Sequence, residues 1–174
     1  MVEPAPRAAL RDGVPVENLG TTARWRAVAA DYLMLVKPRI MVLLLITTLA
    51  AVLIATSTRP EGDVQVVRLV LLTLLGGALA SGGASALNHY IDRDIDGLMA
   101  RTKKRPLPSG RLKPINALVF GLVLTALSFL VFAAWVNLLS GLLALAGNFY
   151  YVVIYTLWLK RLTPQNIVIG GVAG

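Results

Sequence analysis

The sequence predicts an all-α fold, a polytopic transmembrane helical bundle of about four full spans plus the start of a fifth. Three observations predict it. In 174 residues, 56% are hydrophobic and only 15% charged, with a mean hydropathy of +0.70, whereas a water-soluble domain carries about a quarter charged residues. The apolar residues gather in long runs, and roughly 20 of them at a rise of about 1.5 Å cross a bilayer core. The charges collect in short links between those runs, which makes the lipid bilayer the surroundings of most of the chain.

Composition also excludes some chemistry. There is no cysteine, hence no disulfide framework or thiolate metal site, and one histidine, His89, rules out a multi-histidine centre. The net charge of +8 invites a nucleic-acid reading. The basic residues lie between apolar runs, however, where they mark membrane topology, so no nucleic acid is expected as a partner.

Residues 1–23 mix Pro, Gly, Arg, Glu and Asp without periodicity and are expected to be disordered, with residues 24–174 forming the membrane domain. From Trp25, apolar residues recur at Val28, Ala29, Tyr32, Leu33 and Val36, the stripe of a helix lying on the membrane surface. Lys37-Pro38-Arg39 opens a first span, Ile40 to about Thr56; Lys37 and Arg39 read as topology and headgroup contacts. Further spans are expected at about Val66–Leu87, Ile115–Val136 and Leu138–Leu159, and "TPQNIVIGGVAG" begins a fifth. Basic residues alternate with the spans, crowding the segment before span one, the link between spans two and three and the end of span four. The positive-inside rule then puts the N-terminus and the 88–113 link on the cytoplasmic side of the inner membrane. Gly76, Gly77, Ala80, Ser81, Gly83, Ala84 and Ser85 give span two the small residues that let helices pack closely in lipid.

Charge is concentrated where span two ends, in "NHYIDRDIDGLMARTKKRPLPSGRL". If the helix continues through Asp96, then Asn88, Asp92 and Asp96 share one stripe, since each step of four turns about 40° and rises about 6 Å. Asp94 lies about 200° from Asp92 and points elsewhere. Oxygen donors in such a row suit Mg²⁺, which takes one or two carboxylates and completes its shell with water and phosphate. The adjacent Lys/Arg loop would neutralise that phosphate. The plain alternative is a helix end whose Asp and Arg side chains reach for water and pair with one another. Gly97 reads as the helix stop, and Pro106, Pro108 and Gly110 as a non-helical loop. His89 lies about 100° off the stripe and reads as a hydrogen-bonded packing residue. Tyr151 and Tyr155, on one face after Asn148, are candidates to line a pocket or simply to mark the interface.

These residues resemble the first aspartate-rich motif of the UbiA-type intramembrane prenyltransferases, N-x-x-x-D-x-x-x-D followed by R-T-x-x-R-P-L-P-S-G. The "KPR" before span one and "YTLWLKRLTPQNIVIGGVAG" are similar to one branch, the protoheme IX farnesyltransferases, and the resemblance covers roughly residues 31–174. It implies an Mg²⁺-dependent transfer of the farnesyl group of farnesyl diphosphate to a vinyl group of haem B, giving haem O. By motif, Asn88, Asp92 and Asp96 would hold Mg²⁺, while Arg101, Arg105, Lys160 and Arg161 would grip the diphosphate; no residue is assigned a catalytic role. His89 stands where quinone-pathway relatives typically carry Asp, so a prenyltransferase of a quinone precursor or other aromatic acceptor is the alternative enzyme. A non-catalytic transporter or assembly protein is the alternative of another class. The haem branch also makes cytochrome oxidase assembly proteins partners to consider. The family pattern has about nine spans and a second aspartate-rich motif, neither found here, so the chain is expected to be the N-terminal part of a longer protein and inactive alone.

Overall fold

The computed structural model describes residues 21–57 and 63–160. Among these the chain is helical and contains no strand: α1 (Thr21–Val36), α2 (Pro38–Ser57), α3 (Asp63–Ile91), the short α4 (Arg93–Leu98), α5 (Pro114–Val131) and α6 (Leu138–Phe149). The last two continue as wider, π-type turns over Phe132–Val136 and Tyr150–Leu159. Four stretches are long and apolar enough to cross a membrane: Pro38–Ser57, Val64–Ile91, Pro114–Val136 and Leu138–Leu159. They match the four spans expected from hydropathy. The expected fifth span, Arg161 and residues 1–20 of the expected irregular leader lie outside the described residues.

The central helix is α3, which packs against α1, α2, α5 and α6. Its small residues work as predicted. A Cβ on Gly83 would lie 2.9 Å from the Gly121 carbonyl oxygen, and one on Gly121 would lie 3.1 Å from that of Gly83. The α3 and α5 backbones therefore touch, and Ser128 Oγ donates across the contact to the Gly76 carbonyl at 2.8 Å. Asn137 alone links α5 to α6; its side chain accepts from the Ser140 amide at 2.7 Å and caps the new helix.

Two expectations need correction. Helix α1 starts at Thr21, and its buried stripe is Ala23, Ala27, Asp31 and Leu35. The apolar stripe expected to lie on the membrane surface includes Trp25 and Leu33, both exposed on the outside of the bundle. Small side chains allow the closer approach, so the bundle takes the alanine face and leaves the large apolar groups outward. Gly97 does not stop a helix: α4 runs through it to Leu98, and the left-handed glycine is Gly110, at φ +75°. The helix of span two does continue past the apolar run, as expected, although only to Ile91.

Candidate functional site

The chain does not run as one perfect helix through Asp96; α3 ends at Ile91, and Asp92 sits at φ −82°, ψ 1° before α4 begins. Helical hydrogen bonding nevertheless crosses the kink. The Asp92 amide bonds the Asn88 carbonyl at 2.9 Å, and the Asp96 amide bonds the Asp92 carbonyl at 2.8 Å. The i, i+4, i+8 stripe survives, with Asn88, Asp92 and Asp96 only 4%, 1% and 5% exposed. Asp94 is exposed, as its angular position requires. Arg93 also turns outward, lying 4.3 Å from the Tyr90 ring centroid.

Three elements converge on this stripe. Asn88 Nδ2 donates to Asp92 Oδ2 at 3.0 Å and to Thr156 Oγ1 of α6 at 3.3 Å. Lys37 Nζ, from the α1–α2 junction, donates to Asn88 Oδ1 at 3.0 Å. Lys160 Nζ pairs with Asp92 Oδ2. Arg105 Nη1 pairs with Asp96 Oδ2 at 2.6 Å. Three cations thus face two carboxylates in a largely buried cluster, an excess of positive charge that favours an anion. Lys37 feels the excess: burial, then the nearby Arg105 and Lys160, lowers its pKa to about 8 against the pull of Asp92 and Asp96.

Local backbone geometry aims these groups. Pro38 disfavours helix at the residue before it, and Lys37 takes φ +53°, a left-handed conformation costing about 1–2 kcal/mol outside glycine. The Lys37 carbonyl accepts from the Ile40 and Met41 amides at 3.0 and 3.2 Å, starting α2 while its ammonium turns to α3. In α6, the wide turns bring Thr156 and Lys160 to the stripe, and Thr156 Oγ1 donates to the Tyr151 carbonyl, five residues back, at 2.9 Å. Such turns are frequent at functional sites.

One buried oxygen of this set is left for a further partner. Asp92 Oδ1 is buried and has no hydrogen-bond partner, which costs a carboxylate free energy unless something else meets it. Among the described residues no cluster of three or more His, Cys, Asp or Glu side chains is found. Two carboxylates and an amide would leave a hard cation open positions for water and phosphate oxygens, the Mg²⁺ pattern.

Beside the stripe lies a cavity of about 180 Å³, lined by Lys37, Ile40, Leu44, Ser81, Ser85 and Tyr151 among others. Its wall is mostly apolar, and among the described residues Lys37 is the one charged residue that lines it. Tyr151 stacks on Tyr155 with ring centroids 5.4 Å apart, so the shared face is real, but of the two only Tyr151 lines this cavity. Asn148 turns instead to α5, donating to Thr125 Oγ1 at 3.0 Å.

The sequence-predicted residues are thus partly united. Asn88, Asp92, Asp96, Arg105 and Lys160 meet; Arg101 is exposed on the loop, outside these contacts, and Arg161 lies beyond the described residues. Arg105 with Asp96 is also the pairing that the plain alternative expected, although here both lie at a buried cluster. Two expectations are overturned: Lys37 is a site residue rather than a headgroup contact, and His89 is buried with neither ring nitrogen hydrogen-bonded. Thr156 was missed. Nothing in a single sequence marks one threonine in an apolar run, whereas Lys37 carried a signal, a cation before proline at a span entrance.

Comparison with known proteins gives this site a context. Residues 44–174 match the UbiA prenyltransferase family. The chain is 54% identical over 147 residues to a protoheme IX farnesyltransferase of Symbiobacterium thermophilum, covering 84% of this chain and 47% of that one. It is 55% identical over 151 residues to the protein of that name in Gloeobacter violaceus, covering 87% and 48%. For the Synechocystis protein of that name the figures are 53% over 148 residues, 85% and 45%. The chain therefore spans about half the length of the curated relatives it matches. No solved structure matches it.

Proposed function

The chain belongs to the UbiA prenyltransferase family, and from that premise we propose that it carries the diphosphate-binding site of an Mg²⁺-dependent protoheme IX farnesyltransferase. The carrying observation is the buried Asn88–Asp92–Asp96 stripe, with Asp92 Oδ1 unpartnered and Lys37, Arg105 and Lys160 around it. Farnesyl diphosphate and haem B are the proposed substrates, from the names of the relatives. We place the N-terminus and the 99–113 loop on the cytoplasmic side of the inner membrane, from the distribution of basic residues.

Asn88, Asp92 and Asp96 would hold Mg²⁺, which when bound would neutralise charge growing on the leaving diphosphate. Lys37, Arg105 and Lys160 then exchange their bonds to the stripe for bonds to phosphate oxygens, so the site needs little rearrangement to become charge-balanced. Arg101 and Arg161 are assigned to the anion on the motif alone. The allylic C–O bond breaks with its electron pair leaving on the diphosphate, and the vinyl group of haem B attacks the farnesyl cation. Water then adds to the new cation and releases a proton, leaving a hydroxyethylfarnesyl side chain. Apolar walls such as Ile40 and Leu44 would seat a prenyl chain and exclude water.

The full-length protein, given farnesyl diphosphate, Mg²⁺ and haem B, should form haem O by mass spectrometry. Farnesylation of a hydroxybenzoate with no new haem product would move the acceptor to the quinone class. No prenyl transfer to either would favour a transporter or assembly protein.

A further inference from the structure

One buried ion pair has no part in that chemistry. Asp31 is only 3% exposed on the stripe by which α1 packs on the bundle. A carboxylate there is costly unless answered, and Arg111 answers it: Nε reaches Oδ1 and Oδ2 at 3.1 and 3.2 Å, and Nη2 reaches Oδ1 at 3.0 Å. The same guanidinium donates to the Lys104 carbonyl at 3.2 Å, immediately before Arg105 in the chain. At its other end the loop is tied to the stripe, with Thr102 Oγ1 donating to the Asp96 carbonyl at 2.8 Å and the Arg105 amide to Thr102 at 2.9 Å. Arg105 thus lies between two anchors, one of them on α1. Leu107 and Leu112 press the loop against Leu35, a contact that alone leaves its polar backbone free to shift.

We propose that α1 is a working wall of the anion site: Asp31, acting through Arg111, fixes the 99–113 loop and so holds Arg105 over Asp96. Both are positioning residues, and the inference rests on the reading that Arg105 binds the diphosphate. An apolar pair could stabilise α1 as well as an ion pair does. A forked, directional contact also sets register.

The test uses the full-length protein in lipid nanodiscs. Asp31→Asn should raise KM for farnesyl diphosphate roughly tenfold, leave KM for haem B within about twofold, and speed trypsin cleavage after Lys103 and Lys104. The exchange Asp31→Arg with Arg111→Asp should recover much of the loss, and Asp31→Glu, which keeps the charge, should stay near wild type if the asparagine variant folds poorly. Unchanged cleavage, or faster cleavage with an unchanged diphosphate KM, would overturn the proposal, as would equal rises in both KM values. If the unaltered protein transfers no prenyl group, the proposed function fails, and the loop anchor is still judged by cleavage: faster in Asp31→Asn supports it, unchanged rejects it.

Discussion

The two ends of α3 face different solvents. At its start, Val64, Val67, Leu71 and Leu75 point outward at helical spacing and are more than half exposed, the arrangement of a helix whose outer surface meets lipid. At its other end and just beyond it, Ser85, Asn88, His89, Asp92 and Asp96 are all buried. One end keeps apolar groups outside, and the other draws polar groups in and surrounds them with cations. A membrane bundle inverts the soluble pattern, so its interior is where ionisable groups gather for a purpose.

Substitutions along the helix should separate those two regimes. The largest effect is expected from Asp92→Ala, which removes a carboxylate held by Asn88 and Lys160. Prenyl transfer by the full-length protein should fall about a thousandfold, near 4 kcal/mol of barrier, with the helical circular-dichroism signal kept. Gly83→Val comes next, because its added atoms would meet the Gly121 carbonyl and the Thr125 amide, and backbone cannot step aside. Overpacking of about 1–3 kcal/mol should lower the melting temperature in detergent. Lys37→Met should weaken pyrophosphate binding, read by calorimetry, by about tenfold, from one lost charge-assisted contact. Leu71→Ala, on the lipid side, should change the melting temperature least, by less than about 0.5 kcal/mol equivalent.

The same contrast explains what the sequence disclosed. Lipid crossing depends on length and hydropathy, local quantities, so the four spans were legible, Leu138–Leu159 to the residue, while the polar end of span two ran on to Ile91. The Asn88–Asp92–Asp96 stripe was legible because helical spacing alone aligns it, and the kink at Asp92 did not undo that. What escaped depends on partners distant in the chain. Lys37 is 51 residues from Asn88, and Arg111 is 80 from Asp31, distances over which charge patterning gives no pairing. The inward face of α1 was not read at all: its apolar stripe pointed to the membrane surface, and nothing local marks Ala23, Ala27, Asp31 and Leu35 as the side that meets the bundle.

The most direct measurement is Mn²⁺ binding, as a paramagnetic substitute for Mg²⁺, followed by electron paramagnetic resonance with a thiodiphosphate analogue of farnesyl diphosphate. Asp92→Asn should abolish analogue-dependent binding in the full-length protein, and Asp94→Asn, two residues away on the exposed side, should keep it. Binding retained by the first variant, or lost equally in both, would contradict a metal–diphosphate site on the Asn88–Asp96 face.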